Sequence, residues 1–389
     1  MEASARPMGN TAGKPVKKKV LFLLEAFDKG GIEKVTLDIV NNLDPKQYDI
    51  TVQTFWFGGH CQSLVHKNVR VIPFFFRHYV RGIIRLIEYL TPSLLYRLFV
   101  RGDYDVEIAA SDGGAAKVIS GSTNKNAKKI CWVHMDVVEN GSKLKEFLSA
   151  ETGRRIYEKF DSICCVSAEC LRKFQMKFGD FPNMYAVHNP VPDKEVLEEA
   201  TKLIPYKIDP DICTFVTVGR LVSEKGFDRL IDGCKQLVDE GKKGFVVHIV
   251  GDGPQRKMLE NRASAYGLRR YIIFDGFQSN PYPYIANADW YICTSRDEAY
   301  PLTIGESFIL HVPVIGTKCA GVNEWLGKSE YGIVVDNSTE GIVHGIKRAL
   351  MMCAAEYNVW KEKAVRKSCE LNFVQQLKEW ENVVISDDQ

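Results

Sequence analysis

Short apolar, β-branched runs alternating with helical stretches, twice over in one chain, constrain this sequence more than any other feature. The first series is Val20–Leu24, Ile50–Phe55, Val69–Phe74, Val106–Ala110, Ile130–Val133 and Ile163–Val166. Runs of this length with helical segments between them read as strands joined by crossovers, and that pattern calls for a parallel sheet wound on both faces. A second series starts at Thr214–Val218 and continues through Phe245–Val250, Tyr271–Phe274, Trp290–Thr294, Pro313–Gly316 and Gly332–Val335. Between them, Asn189-Pro190-Val191-Pro192-Asp193 and a charged stretch to Asp211 have the composition of an inter-domain connection. The expected organisation is a polar tail at 1–17, a first domain at 18–190, a linker at 191–211, a second domain at 212–367 and a terminal helix at 368–389 that packs back on the first domain. A length of 389 residues suits two domains of roughly 150–200 residues each.

Composition removes several classes of protein. With 45% hydrophobic and 26% charged residues the chain is globular rather than disordered or fibrous. A formal net charge of +2 argues against a nucleic-acid-binding surface spread over the molecule. The 11 cysteines are odd in number, show no CxxC spacing and mostly sit in apolar runs such as Cys164-Cys165, which suits reduced thiols in a cytoplasmic protein. No apolar stretch reaches the roughly 18 residues needed to span a bilayer, and no signal-like cleavage pattern follows the N-terminus.

Open parallel sheets bind ligands beyond the carboxyl ends of their strands, so the loops that follow strands are where chemistry is expected. After the strand ending at Val218 comes Gly219-Arg220-Leu221-Val222-Ser223-Glu224-Lys225-Gly226-Phe227, then a helical pattern through Leu230, Ile231, Cys234 and Leu237. Two cations beside a helix N-terminus make a diphosphate seat; a solvated loop with its charges paired to Glu224 and Asp228 is the plain alternative. After the strand at Trp290–Thr294, Glu298 lies in a loop and Glu306 about one turn into a helix, eight positions apart. A carboxylate accepts two hydroxyl hydrogen bonds, as a vicinal diol requires. A carboxylate near a helix start is also favoured by the helix dipole, and Glu306 reads equally as a surface residue.

In the first domain, Gly30 and Gly31 precede a helix carrying Val35, Ile39 and Leu43. Paired glycines there either let a ligand approach the backbone or serve a turn of positive φ. The absence of G-x-G-x-x-G weakens a dinucleotide-dehydrogenase reading. His134 and Asp136 follow the strand Ile130–Val133, where a lone histidine is more often structural than functional. Residues 77–101 hold Arg77, Arg81, Arg85, Arg97 and Arg101 against Glu88, with an apolar stripe through Val80, Ile83, Ile84, Ile87 and Leu90. Such helices favour anionic membrane surfaces, or are ordinary helices with arginines in water. Asp103-Tyr104-Asp105 precedes a strand rather than following one, so it reads as a turn, and no catalytic metal is expected.

Taken together, Gly219 to Phe227, Gly251-Asp252-Gly253-Pro254, Gly276-Phe277-Gln278, Glu298 to Glu306 and Pro313-Val314-Ile315-Gly316 resemble the donor domain of glycosyltransferase family 4 of the bacterial cell-surface polysaccharide type. The resemblance implies a GT-B fold, in which two Rossmann-like doubly wound α/β domains face a central cleft, and a retaining mechanism. Glu298 and Glu306 match the family's E-x7-E motif. By this likeness Arg220 and Lys225 would neutralise the donor diphosphate, Glu298 would bind the donor sugar and Glu306 the ribose. Gly219, Gly251 and Gly253 would line the donor, and Phe277 and Gln278 would lie near the base. Backbone N–H groups of Tyr300, Leu302 and Thr303 would meet phosphate or sugar. Tyr300-Pro301 stands where the family more often has Phe-Gly, and proline has no N–H to give. Gly30 and Gly31 would approach the donor phosphate and, with Asp136, the acceptor, while His134 would lie near the transferred sugar.

The implied reaction moves a hexose or N-acetylhexosamine from a nucleotide sugar, UDP-linked on family frequency, to a glycan or lipid-linked glycan acceptor. The donor is a substrate and no cofactor is expected. Residues 77–101 would give peripheral contact with the inner face of the cytoplasmic membrane. A nucleotide-sugar epimerase of the same fold and a non-catalytic nucleotide-sugar-binding subunit remain alternatives at this stage.

Overall fold

The computed structural model describes residues 17–27, 30–56, 59–76, 89–111, 113–134, 149–205 and 209–386. Within them, β1 (Lys18–Leu24), β2 (Tyr48–Trp56), β3 (Arg70–Phe76), β4 (Val106–Ala109), β5 (Lys128–Val133), β6 (Ser162–Cys165) and β7 (Met184–Ala186) form one sheet in the order β3-β2-β1-β4-β5-β6-β7. A second sheet joins β8 (Cys213–Val218), β9 (Phe245–Val250), β10 (Ile272–Gly276), β11 (Trp290–Cys293), β12 (Val314–Thr317) and β13 (Ile333–Val335) in the order β10-β9-β8-β11-β12-β13. All the pairings are parallel. Every run read as a strand forms one. Among the described residues only β7 was missed, because Met184-Tyr185-Ala186 is three residues long and has no β-branched member.

Both sheets are doubly wound. Strand order reverses between β1 and β4 in the first and between β8 and β11 in the second. A crevice opens beyond the carboxyl ends of the strands at each reversal, because the following crossovers leave toward opposite faces. Burial explains why the central strands read as continuous apolar runs: Val20 to Leu24 are all buried, as are Val106, Ile108 and Ala109. The helix Phe227–Asp239 shows how the layers close, laying Phe227, Leu230, Ile231, Cys234 and Leu237 onto the second sheet.

The stretch 191–211, read from sequence as a linker, contains the helix Asp193–Glu199, and its Val191 and Val196 are buried in the second domain's core. Near its end the chain returns: Leu371 is packed in the second domain, while Phe373 already belongs to the core of the first. The two crossings are tied together. The Val191 N–H donates to Gln376 Oε1 at 3.1 Å and the Phe373 N–H to Asp193 Oδ1 at 3.4 Å.

The last helix, Phe373–Val384, is capped by Asn372, whose side chain accepts from the Gln375 N–H. Its fully buried Trp380 lies 6.1 Å from the Phe22 ring and 5.1 Å from the Trp132 ring, centroid to centroid. Beyond its end, Lys18 and Lys128 donate to the carbonyls of Ile385 and Ser386, a favourable use of cations at a helix C-terminus. Trp380→Ala is expected to cost about 3–5 kcal/mol by cavity formation. Urea unfolding followed by circular dichroism measures it, and a loss below about 1 kcal/mol would show that this helix lies outside the cooperative core.

Candidate functional site

The crevice of the second sheet is built by the loops after β8 and β11. Gly226 makes their meeting sterically feasible. Its φ of +67° is left-handed, and a Cβ there would stand 2.2 Å from the Thr294 carbonyl. Arg296 then staples the loops, donating both guanidinium nitrogens to Asp228 at 2.8 and 2.7 Å and a further bond to the Ser223 carbonyl at 2.6 Å. Asp228 is thereby occupied by Arg296 and is not the partner of Lys225 that the solvated-loop reading required.

Lys225 instead reaches Glu298, forming an ion pair whose carboxylate oxygen also accepts from the Ser295 hydroxyl at 2.8 Å. Burial alone would lower the pKa of Lys225, but the neighbouring Glu298 outweighs it and holds the value above that of an ordinary lysine, so the ammonium persists. Thr217, Tyr291, Cys293 and Thr303 complete the pocket wall around the pair, with the Tyr291 hydroxyl donating to Thr303 Oγ1 at 2.7 Å. Arg220, five residues before Lys225, is exposed and has no ion-pair partner among the described residues. Leu302 and Thr303 open the helix Leu302–Ile309, and Thr303 brings the start of that helix to the pocket wall.

Other expected donor residues take different places. Gly251 has φ +149°, and a Cβ there would come within 1.9 Å of the Gly219 carbonyl; one on Gly253 would come within 2.6 Å of Leu221 backbone. Both glycines are explained by close packing of the loop after β9 against the loop after β8. Phe277 is 40% exposed and meets His60 of the first domain edge-on, 6.0 Å between centroids, while Gln278 turns its amide back to the Asp275 carbonyl. Tyr300 is stacked between His188 at 4.7 Å and Trp325 at 4.6 Å, so its ring builds the domain seam.

Glu306 does not fit the surface alternative. It is 4% exposed, not a surface residue, and accepts from the Tyr282 hydroxyl at 3.3 Å. Burial pushes its pKa up to about 7, against the opposing pull of Lys34.

On the facing side, Gly30 caps the helix Gly31–Asn42 with an extended φ of −155°, so the glycine pair does not serve a positive-φ turn. A Cβ on Gly31 would meet nothing within 4 Å, which leaves open space at that helix N-terminus. His134 ends β5 beside Trp132, and burial pushes its pKa down to about 3, leaving a neutral imidazole. Asp136 and residues 77–88 of the basic stretch lie outside the described residues.

The domains meet around Glu298. Ser167 caps the helix Ala168–Phe178 and donates its hydroxyl to the Ala299 carbonyl at 2.8 Å, while Lys173 lies 3.8 Å from Asp297. His188 and the Ala168 N–H both reach Glu324, at 2.9 and 3.3 Å. The sequence reading missed Ser295, Arg296 and Ser167. Only Arg296, a cation two residues before the first glutamate of the E-x7-E motif, carried a signal that could have found it.

Residues 204–367 match the family model described as glycosyl transferases group 1. The lipopolysaccharide core biosynthesis glycosyltransferase LpsE of Rhizobium meliloti is 28% identical over 40% of this chain and 44% of its own, so the chain spans less than half of that relative. An uncharacterized glycosyltransferase of Haemophilus influenzae is 24% identical over 85% of this chain and 90% of its own. Among solved structures, Anabaena HepE in complex with UDP superposes with a TM-score of 0.74 at 17% identity, covering 93% of this chain and 98% of that one. The two facing parallel-sheet domains are those of the GT-B fold.

Because burial raises the Glu306 pKa from 4.5 to about 7, the folded state binds a proton there more tightly than the unfolded chain does. Its stabilising share is complete below pH 4.5 and is lost as pH rises through 7. Glu306→Gln should therefore raise stability at pH 8 by on the order of 1–3 kcal/mol and leave it nearly unchanged at pH 5. Thermal unfolding at the two pH values decides; equal shifts at both would show that the carboxyl does not titrate in this range.

Proposed function

We propose that this chain is a retaining, metal-independent glycosyltransferase that moves a hexose or N-acetylhexosamine from a nucleotide sugar, with UDP as the favoured nucleotide. The observation that carries this reading is the meeting of Lys225 and Glu298, with Thr303 of the helix Leu302–Ile309 beside them, at the reversal point of the second sheet, where the loop after β8 also carries the exposed Arg220. Two cations and a row of backbone N–H groups suit a diphosphate; a carboxylate beside them suits sugar hydroxyls. The match of 204–367 to group 1 glycosyl transferases supports the same assignment, and the UDP bound by HepE supports the nucleotide.

Cleaving the bond between sugar and diphosphate builds negative charge on the leaving phosphate and positive character on the anomeric carbon. Arg220 and Lys225 meet the first with a field that needs no reorganisation at the moment of reaction. In the empty site Lys225 and Glu298 neutralise one another. Donor entry exchanges that pair for two new ones, Lys225 with phosphate and Glu298 with the sugar hydroxyls. The acceptor hydroxyl attacks from the face the diphosphate leaves, and a phosphate oxygen takes its proton, so configuration is retained without a protein nucleophile. In this proposal His134, whose ring burial keeps neutral, is a hydrogen-bonding group for the transferred sugar.

The acceptor in this proposal is a glycan or lipid-linked glycan of cell-surface polysaccharide synthesis, the setting of LpsE. The helix Pro92–Phe99 presents Leu94, Arg97 and Leu98 outward, a mixed basic and apolar face suited to anionic membrane. No helix among the described residues is long and apolar enough to cross a membrane.

Donor hydrolysis across a panel of UDP-, GDP- and ADP-sugars tests the reading. One nucleotide should be released slowly, and Arg220→Ala and Glu298→Ala should each lower that rate roughly 10²–10³-fold. Unchanged rates in both variants would remove the site, and an inverted anomeric product with acceptor present would remove the mechanism.

A further inference from the structure

A charge cluster at the seam between the domains has no task in the mechanism above. Lys34 stands on the helix Gly31–Asn42, one turn beyond the paired glycines, and so belongs to the first domain. Its Nζ lies 3.2 Å from Asp38 on the same helix, 3.6 Å from Glu195 on the helix Asp193–Glu199, and 5.9 Å from the centre of the Tyr282 ring in the second domain. Tyr282 in turn donates to Glu306. Four helices from both sides of the seam thus bring three carboxylates and a phenol around one ammonium.

Such a cluster is under-neutralised, and burial makes that costly. Asp38 is pushed up to about 6 by burial and by Glu195, against Lys34; Glu306 is pushed up to about 7 by burial, Asp38 and Glu195, with Lys34 and the Tyr282 hydroxyl pulling the other way. For Lys34, the attraction of Asp38, Tyr282, Glu306 and Glu195 overcomes burial and holds it well above an ordinary lysine. Lys34 is therefore the cation acting on Glu306, and it is delivered by the opposite domain.

We propose that Lys34 is a positioning residue for the nucleotide: lying across the seam against Tyr282, it favours the charged form of Glu306, so that near neutral pH the ribose site is best formed with the two domains together. The inference rests on the reading of Glu306 as the ribose-binding carboxylate. An ionised carboxylate accepts from both hydroxyls of a diol, whereas a protonated one gives up part of that capacity. With Lys34 withdrawn, Glu306 takes up a proton more readily and one of its two oxygens becomes a donor, so the diol loses part of its acceptor. Binding of the ribose and docking of the first helix then favour one another, as any two events that share a state must.

Titration calorimetry of the full chain with UDP, and with GDP and ADP alongside, tests this between about pH 6 and 9, a range that brackets the shifted carboxyls. The wild type should bind more weakly as pH falls through the titration of Glu306. In Lys34→Met that limb should move upward by about one pH unit, giving roughly tenfold weaker binding near neutrality and near-wild-type binding at the alkaline end. Lys34→Arg should restore the wild-type profile. Lys34→Met binding that equals wild type, or is weaker by one factor at every pH, overturns the inference while leaving the donor site intact. Glu306→Gln that binds like wild type, or a wild type that binds none of the three nucleotides, overturns the ribose reading and this inference with it.

Discussion

Parallel pairing is the constraint from which the rest follows. In a parallel sheet every strand ends on the same edge, so every loop that leaves a carboxyl end is delivered to one side. Two such sheets, each with its reversal of strand order near the middle, leave two crevices, and the double crossing at Val191 and Phe373 holds the domains that carry them together. The residues that meet in the second crevice are far apart in sequence, Lys225 and Glu298 among them. They meet because β8 and β11 are neighbours in the sheet.

Charge in this cleft is arranged in pairs that a ligand can exchange, with one exposed cation left over. Lys225 and Glu298 satisfy each other, Arg296 and Asp228 fasten the loops, and Arg220 stands free of ion-pair partners among the described residues. A fastened pair such as Arg296 with Asp228 preserves geometry, whereas an exchangeable pair keeps two functional groups oriented until phosphate and sugar replace the contact. Glu306 shows the opposite bargain. Its buried carboxyl weakens the fold at neutral pH, and a residue kept at such a cost is more readily explained by binding than by packing.

The strands were legible because burial on both faces forces apolar runs, and Val20–Leu24 could not easily be anything else. That Lys225 and Glu298 share one crevice was legible because both lie in loops leaving the carboxyl ends of strands. What escaped was whatever depends on the relative placement of the domains. Ser167 and Lys173 look like an ordinary helix cap and a surface cation until the helix Ala168–Phe178 is seen against the loop after β11. Glu306 read as a possible surface residue because no periodicity reveals that Tyr282 and the first helix of the other domain cover it. Gly251 and Gly253 are ambiguous from sequence: a glycine that lets backbone approach backbone has the same signature as one that lets backbone approach phosphate.

The same seam explains how a carboxylate of the second domain can respond to the first without touching it. Glu298 pairs within its own domain, yet its two neighbours do not: Asp297 faces Lys173, and the Ala299 carbonyl accepts from Ser167. Backbone fastened on both sides of a residue fixes where its side chain starts, so the helix Ala168–Phe178 of the first domain helps to set where Glu298 stands against Lys225. An error of even about 1 Å in a reacting group costs roughly 10²-fold in rate. The placement of Glu298 against Lys225 therefore rests on contacts from both domains, the ion pair within the second and the Ser167 and Lys173 contacts from the first.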